Sequence, residues 1–529
     1  MTTLVIHGDK YLDIETGVYR KLDELPSTLL GGSQGFICGS NLFEPLASLN
    51  TIMGNVPRWR MSVTVAQRRS YTRDGRIAIS GIFQVSYISF RLHASRLGGG
   101  RRTAQNGVRW DVLNLETFMD PTGFTLQETV EASKAILTLC ESRGVTIGKS
   151  RGSLARKLLR ASPQWNATNE EQGQRRPAPK WINDEARKHS PGNHYSISNK
   201  IRKAVSIPHC YYIDQTSAHH SIASQISLPH PNHIRGRGFT KEALQQGHYP
   251  KWSEQVPVGH TGLFCCHVEI YQIPLSLKHL YPKWVTQRKP GHHVVWLYTP
   301  EIRLIENDHL VNLQYVTCGF STMDSDPALT EYAEWSLEYL KRPDKKYTKA
   351  TLLAAYGMLQ FNPIGWKSYR YWGGTAQSKG TPIEIPVAGP MKEVCVSFPE
   401  WVQLDTTNVC ARGMIESETR TRSLEYAREL HHSGYHVVQV YADALVVETD
   451  HLPFVRQGWR IDKSLTNVLI PAVNSIVSDQ MVKRPGLNRE DSERVRQAHM
   501  PNRPDIPPTV VKTVFGRRRL EHKDLIRTA

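Results

Sequence analysis

The sequence predicts a multi-domain α+β protein, and three observations lead there. At 529 residues it is longer than one ordinary core serves, since single cores stop growing at roughly 250–300 residues. An apolar fraction of 39%, with twelve Trp and twenty-one Tyr, provides ample material for burial and excludes a disordered chain. Strand-like alternation and helix-like periodicity then succeed one another along the chain, with a polar break at 166–179 (NATNEEQGQRRPAP) that reads as a linker.

The charge balance narrows the partners. Lys and Arg number 66 against 49 Asp and Glu, a net charge of +17, which points to a polyanion such as nucleic acid or an anionic surface. No run of about eighteen apolar residues occurs, so no spanning helix and no membrane partner are expected. Asp9 and Asp13 interrupt the place where a signal peptide would carry its apolar stretch, which leads to the expectation of a soluble cytoplasmic protein. Eight cysteines are scattered without C-x₂-C spacing and are expected as free thiols. The pairs His219-His220, His292-His293 and His431-His432 are not expected to chelate, because adjacent side chains point apart on a strand or a helix.

Taken in order, 81–90 (GIFQVSYISF) alternates as a strand, and 125–143 reads as a helix stopped near Gly144. Beyond 200, a short apolar strand at 210–213 leads into Asp214. Strands are expected at 262–270, 293–298 and 310–316, and helices at 328–340 and 347–359. A long helix at 407–432, polar at its start and stopped by Gly434, precedes strand residues on both sides of Asp443, with Ala442-Asp443-Ala444 as a tight turn.

Three of these segments could carry chemistry. Asp214 leaves an apolar strand and is followed by small, polar residues (Gln215-Thr216-Ser217-Ala218-His219) whose amides suit a triphosphate; read alone, a turn-capping Asp explains it. Lys349 and Tyr356 stand seven apart, two helical turns, bringing a cation and a ring to one helix face, with Lys341, Arg342, Lys345 and Lys346 just upstream. An ordinary amphipathic helix has the same look. Asp443 sits in a turn between two apolar strands, a rigid place for a metal ligand, although many turn carboxylates only cap.

In this order, the three segments resemble motifs A, B and C of family B DNA polymerases, and the spacing is similar to the compact, protein-primed branch of small phages and linear plasmids. Motif A of that family reads D-x-x-S-L-Y-P, against Asp214-Gln215-Thr216-Ser217-Ala218-His219-His220 here. Motif B reads K-x-x-x-N-S-x-Y-G, against Lys349, Tyr356 and Gly357. Motif C reads Y-x-D-T-D-S, against Tyr441-Ala442-Asp443-Ala444-Leu445. Leu228-Pro229, Phe361-Asn362-Pro363 and the stretch 187–195 (RKHSPGNHY) resemble supporting segments of the branch, and the likeness covers about 190–490. His219 replaces the motif A tyrosine that screens out ribonucleotides, Leu353-Ala354 replaces the Asn-Ser pair, and motif C holds one Asp. Two registers are open for Asp443: the second, metal-bridging Asp, which we adopt, or the first, as Tyr441-Ala442-Asp443 suggests.

The resemblance implies an α+β right-hand polymerase (palm, fingers, thumb) with a ribonuclease H-like, exonuclease-type domain ahead of it. It implies an enzyme that adds deoxynucleotides to a primer 3′ end by a two-metal mechanism with Mg²⁺ or Mn²⁺, in viral or plasmid replication. DNA template and primer, dNTPs and a terminal-protein primer are the implied partners. Asp214 and Asp443 would hold the two ions, Ser217, His219, Lys349, Tyr356 and Gly357 the nucleotide, and Arg187, Gly192, Lys341, Arg342, Lys345, Lys346, Lys483 and Arg484 the DNA. The implied domains are 1–165 (exonuclease-like), 166–200 (linker touching template), 201–451 (palm and fingers) and 452–529 (thumb and basic tail). Asp13 and Glu15 resemble the D-x-E of a proofreading exonuclease; Asn41-Leu42-Phe43-Glu44 is a poor second motif, and Phe124 and Glu128 stand where Y-x-x-x-D would. Two other functions fit the same sequence: a catalytically degenerate nucleic-acid-binding protein on this fold, and a metal-dependent nuclease using Asp13 and Glu15.

Overall fold

A computed structural model describes residues 4–7, 10–21, 24, 36–38, 59–71, 77–92, 109–115, 118, 125–148, 150–165, 175–190, 196–198, 206–238, 259–306, 308–360, 367–369, 381–384, 393–397, 404–470, 476–483 and 493. The chain opens with strands β1 (Leu4–His7), β2 (Lys10–Asp13) and β3 (Tyr19–Lys21), which pair antiparallel. β4 (Phe36–Cys38) lies parallel to β1. The long ribbon of β5 (Trp59–Tyr71) and β6 (Ile77–Leu92) joins through β7 (Arg109–Asn114), giving the order β3-β2-β1-β4-β7-β6-β5. The strand expected at 81–90 lies inside β6. Helix α1 (Leu126–Glu141) starts with a reciprocal Thr125–Glu128 capping box and ends before Gly144, whose φ of 59° suits a residue without Cβ. Glu128, the acidic residue of the third exonuclease-like position, is thus occupied in starting a helix. α2 (Arg151–Arg160) follows.

Within the 166–200 stretch expected as a linker lie α3 (Lys180–Lys188) and β8 (Ser196–Ile197), and beyond it come β9 (Ser206–Gln215), α4 (Ala218–Gln225) and β10 (Arg235–Arg237). β11 (Thr261–Ile270), β12 (Gly291–Tyr298), α5 (Thr299–Glu306) and β13 (Val311–Thr322) complete a four-stranded sheet in the order β10-β13-β11-β12. α6 (Pro327–Tyr339) and α7 (Lys345–Gln360) match the two expected helices, and β14 (Lys367–Tyr369), β15 (Thr381–Glu384) and β16 (Glu393–Ser397) form a small sheet. α8 (Val409–His432) ends at Gly434, φ 87°, and leads into β17 (His436–Val440), β18 (Ala444–Glu448), β19 (Trp459–Leu469), β20 (Ile476–Val477) and β21 (Val482–Lys483). No helix among the described residues is long and apolar enough to cross a membrane.

Two compact units result: residues 1–168 with 338–407, and residues 169–337 with 408–529. The first division, between 168 and 169, comes near the start of the 166–200 stretch expected as a linker. The stretch 201–451, expected as one palm-and-fingers block, is shared between the units, and α7 belongs with the N-terminal sheet. The 452–529 stretch, expected as thumb and tail, lies wholly in the second unit. Its first part returns to a sheet as β19, β20 and β21, because β19 finds in β9 a central partner it pairs with along most of its length.

That second sheet, in the order β21-β20-β19-β9-β18-β17-β8, is antiparallel throughout and positions the candidate site. Strand alternation sends Ile213, Leu445 and Val447 to a core shared with Leu424, Ala427 and Leu430 of α8, and sends Cys210, Tyr212 and Val446 to the opposite face. α8 is buried nearly all round and carries charges inward, so each needs a partner. Arg420 pairs with Glu301 at the start of α5, Glu418 with Arg303 at 2.9 Å, and Arg428 with Asp308 at 2.9 Å.

The start of α8 is set by Asn408. Its Oδ1 accepts from the Ala411 amide at 3.2 Å, and its Nδ2 donates to the Pro229 carbonyl at 2.9 Å, both in buried surroundings. Asn408→Ala removes a helix cap and strands a buried carbonyl, an expected cost of about 2 kcal/mol by urea unfolding.

Candidate active site

Asp214 is the penultimate residue of β9. Its Cα partners are Ala444 at the start of β18 and Arg460 near the start of β19, so it is flanked on both sides by the ladder. Three residues, Tyr441-Ala442-Asp443, connect β17 to β18, and the Tyr441 amide donates to the Ala444 carbonyl at 2.7 Å to close the turn. Ala444, expected in the turn, is thus already strand. The Gln215 amide donates to the Asp443 carbonyl at 2.8 Å, and the Thr216 amide to that of Gly458 at 2.9 Å, so three connections are laced together at one end of the sheet.

The electrostatics follow from that lacing. Burial first, and then the neighbouring Asp443 carboxylate, push Asp214 up to about 6; Lys483 and Arg460 oppose the rise and Asp462 adds to it. Lys483 lies over the rings of Tyr212 and Tyr441, with 4.7 Å from Nζ to each centroid, and donates to the Tyr212 hydroxyl. Burial lowers its pKa, against the pull of Asp443, Asp214 and Asp462. Lys483, expected on a DNA-holding thumb, instead lies on β21, three strands from β9 in the same sheet, where its charge acts on Asp214 and Asp443. Arg484 lies outside the described residues.

The turn after Asp214 is locally strained. Ser217 has φ 47°, a left-handed conformation unusual for a residue with a Cβ, and it opens the eight-residue helix α4. The first amides of that helix have no acceptor within it. The amides of Gln215 and Thr216, expected to face a ligand, are already used by the backbone. His219 is held neutral, its pKa pushed down to about 3 by burial and then by Arg412.

The residues expected to bind the nucleotide from motif B lie in the other unit. On α7, Lys349 and Gly357 are exposed, whereas Tyr356 is wholly buried. The expected open surface of a Lys above a ring is therefore absent from α7 as it stands: this helix packs on α1 and α2, and the Tyr356 ring fills that core. Of the basic residues just upstream, Lys341 pairs with Glu338, Arg342 lies 3.3 Å from Asp344, Lys346 lies 3.8 Å from Glu131, and Lys345 is exposed. Arg187 pairs with Asp184 at 2.8 Å within α3; Gly192 lies outside the described residues, as do Asn41 to Glu44, Phe124 and Phe361 to Pro363.

The D-x-E resemblance has a local explanation. Asp13 ends β2, and its Oδ1 accepts from the amides of Glu15 at 2.9 Å and Thr16 at 3.3 Å, while Glu15 is exposed in the β2–β3 turn. A carboxylate engaged this way is a turn cap. Asp13→Ala is expected to cost the hairpin about 1 kcal/mol and to leave any 3′–5′ degradation of single-stranded DNA unchanged. Loss of degradation in that variant would restore the exonuclease reading.

Sequence reasoning missed Arg460, Asp462, Tyr212 and the real neighbourhood of Lys483. Only Tyr212 had a signal, standing two before Asp214 on one strand and hence on its face.

No family model and no curated protein matches the sequence. Solved structures do match the fold. Phi29 DNA polymerase in complex with primer-template DNA, in a post-translocation binary complex, aligns at a TM-score of 0.55 with 12% identity, covering 93% of each chain. The ternary complex of the same polymerase with primer-template DNA and incoming nucleotides gives the same values. Its orthorhombic crystal form gives 0.54 and 13% over 94% of each chain. The mixed helix-and-sheet architecture is thus similar, over nearly the whole chain, to that of a protein-primed family B polymerase.

Proposed function

We propose that this chain is a template-directed DNA polymerase that adds deoxynucleotides to a primer 3′ end, with Asp214 and Asp443 as its metal-binding carboxylates. One observation carries the reading: Asp214 stands across the ladder from Ala444, next to Asp443, and the Gln215 amide donates to the Asp443 carbonyl at 2.8 Å, so two acidic residues share one end of a rigid antiparallel sheet. The polymerase fold and the net charge of +17 support it.

The donor set suits hard divalent cations. Among the described residues no group of three or more His, Cys, Asp or Glu side chains could hold a metal alone. Two carboxylates completed by substrate oxygens and water are what Mg²⁺ ordinarily accepts. Bound there, the two ions would activate the primer hydroxyl and neutralise the leaving pyrophosphate.

The chain's own residues do the rest. The ladder on both sides of Asp214 fixes its carboxylate relative to Asp443, which loose ligands could not do. Lys483, held between two rings, supplies fixed positive charge beside them. Neutral His219 would offer bulk and a hydrogen bond near the sugar without a charge. Lys349 would approach the triphosphate from α7, and Tyr356 would support that helix from within its core in place of stacking on the base. The mixed N-terminal sheet supports a ribonuclease H-like reading of its unit, in a structural role. Replication of a viral or plasmid genome, with a terminal-protein primer, is the setting the resemblance favours.

The test is primer extension on a primed DNA template with dNTPs and Mg²⁺ or Mn²⁺. Addition that follows the template is the expected result. Salt-sensitive DNA binding without incorporation under either metal would make the chain a nucleic-acid-binding protein on a polymerase fold.

A further inference from the structure

Arg460 stands directly across the ladder from Asp214. Its Nη2 lies 3.6 Å from Asp214 Oδ2 and 3.7 Å from Asp462 Oδ1, so one guanidinium nitrogen is shared almost equally between two carboxylates. Asp462 is the extra residue of a β-bulge between Ile461 and Lys463, a device that re-aims side chains beside functional sites. Both contacts are longer than a good hydrogen bond, and the Arg460 side chain is 52% exposed, so moving it from one partner to the other costs little. Asp214 is the most enclosed of the three, at 23%.

We propose that Arg460 is a place-holding cation for the metal-free centre, and that Asp462 is the partner to which it withdraws when a divalent cation takes Asp214. This rests on the reading of Asp214 as a metal ligand. A guanidinium and a divalent ion repel each other across one carboxylate, so a fixed Arg460 would weaken metal binding. Asp462 offers the guanidinium an equivalent contact about the same distance away, which removes most of that penalty. The loop between β17 and β18 supplies a single carboxylate, so the acidic group contributed by β19 acts on the centre through Arg460. Asp462 and Arg460 are therefore positioning residues.

A double-mutant cycle on the full chain tests this, reading Mn²⁺ affinity by the electron paramagnetic resonance signal of free Mn²⁺, without DNA or nucleotide. Asp462→Asn is expected to weaken Mn²⁺ about tenfold, since Arg460 then has only Asp214, whereas Arg460→Gln does not weaken it. Asp462→Asn placed in the Arg460→Gln background is expected to have almost no further effect. An equal loss in both backgrounds would mean that Asp462 attracts the ion by its own charge, and no loss in either would mean that it has no part; each overturns the proposal. Wild type and Asp214→Asn binding Mn²⁺ alike would instead overturn the metal-ligand reading beneath it. Thermal unfolding of each metal-free variant, with Asp462→Ser as a second substitution, separates these outcomes from misfolding.

Discussion

Asp214→Asn is expected to abolish the proposed templated extension, by on the order of 10³-fold or more, and at the same time to stabilise the metal-free protein above pH 6. The two effects share one cause. Asp214 is mostly enclosed, and burial together with Asp443 lifts its pKa from 3.8 to about 6. The folded state therefore holds a proton that the unfolded state has released across this interval. Stability is lost as pH rises from about 4 through about 6, and above that the full penalty remains, on the order of 1–3 kcal/mol. Asn is isosteric and uncharged, so it escapes the penalty. Its advantage over wild type should be absent near pH 4, grow through pH 5, and level off above pH 6.5, as read by urea unfolding in EDTA. Extension that persists in Asp214→Asn would remove this residue from the chemistry. A stability profile parallel to wild type at every pH would remove the strain at Asp214.

Gly413→Ala is expected to destabilise the second unit by about 3 kcal/mol or more. Gly413 lies in α8 where the helix crosses the end of β12. A Cβ built there would stand 2.0 Å from Tyr298 Cζ and 2.1 Å from its hydroxyl oxygen. Tyr298 is fully buried and cannot swing aside, and α8 is pinned by its inward ion pairs and by Asn408. The helix must lift, and since it leads into β17, the Asp443 loop should move with it. Chemical unfolding measures the cost, and the same variant should extend primers poorly while keeping both carboxylates. Unchanged stability would show that α8 and β12 are not so closely seated.

The two predictions draw on different sources. The closeness of Asp214 and Asp443 was legible in part: an acidic residue at the edge of an apolar run carries its own signal, and the order of the three segments pointed to both. Gly413 carried no signal, for a helical glycine acquires meaning only from what crosses it. The same division separates Lys349 from Tyr356. Their spacing correctly placed them on one helix, but periodicity does not say which side of a helix a core claims, and Tyr356 went inside. Asp13 and Glu15 matched a short pattern that a capped turn also produces, and hydrogen bonds to Asp13 Oδ1 distinguish the two.

By itself the sequence determined the α+β class, the places of α1, α6, α7 and α8, and the strands on both sides of Asp443, because these follow from periodicity, caps and glycine stops within a few residues. Tertiary structure alone decided that β19 would return beside β9, bringing Arg460 and Asp462 to Asp214, and that β21 would carry Lys483 to the same face. Those meetings join residues about 250 positions apart through backbone ladders. Ladder hydrogen bonds are made by every residue alike, so nothing in the side chains of β9 announces which later strand will pair with it.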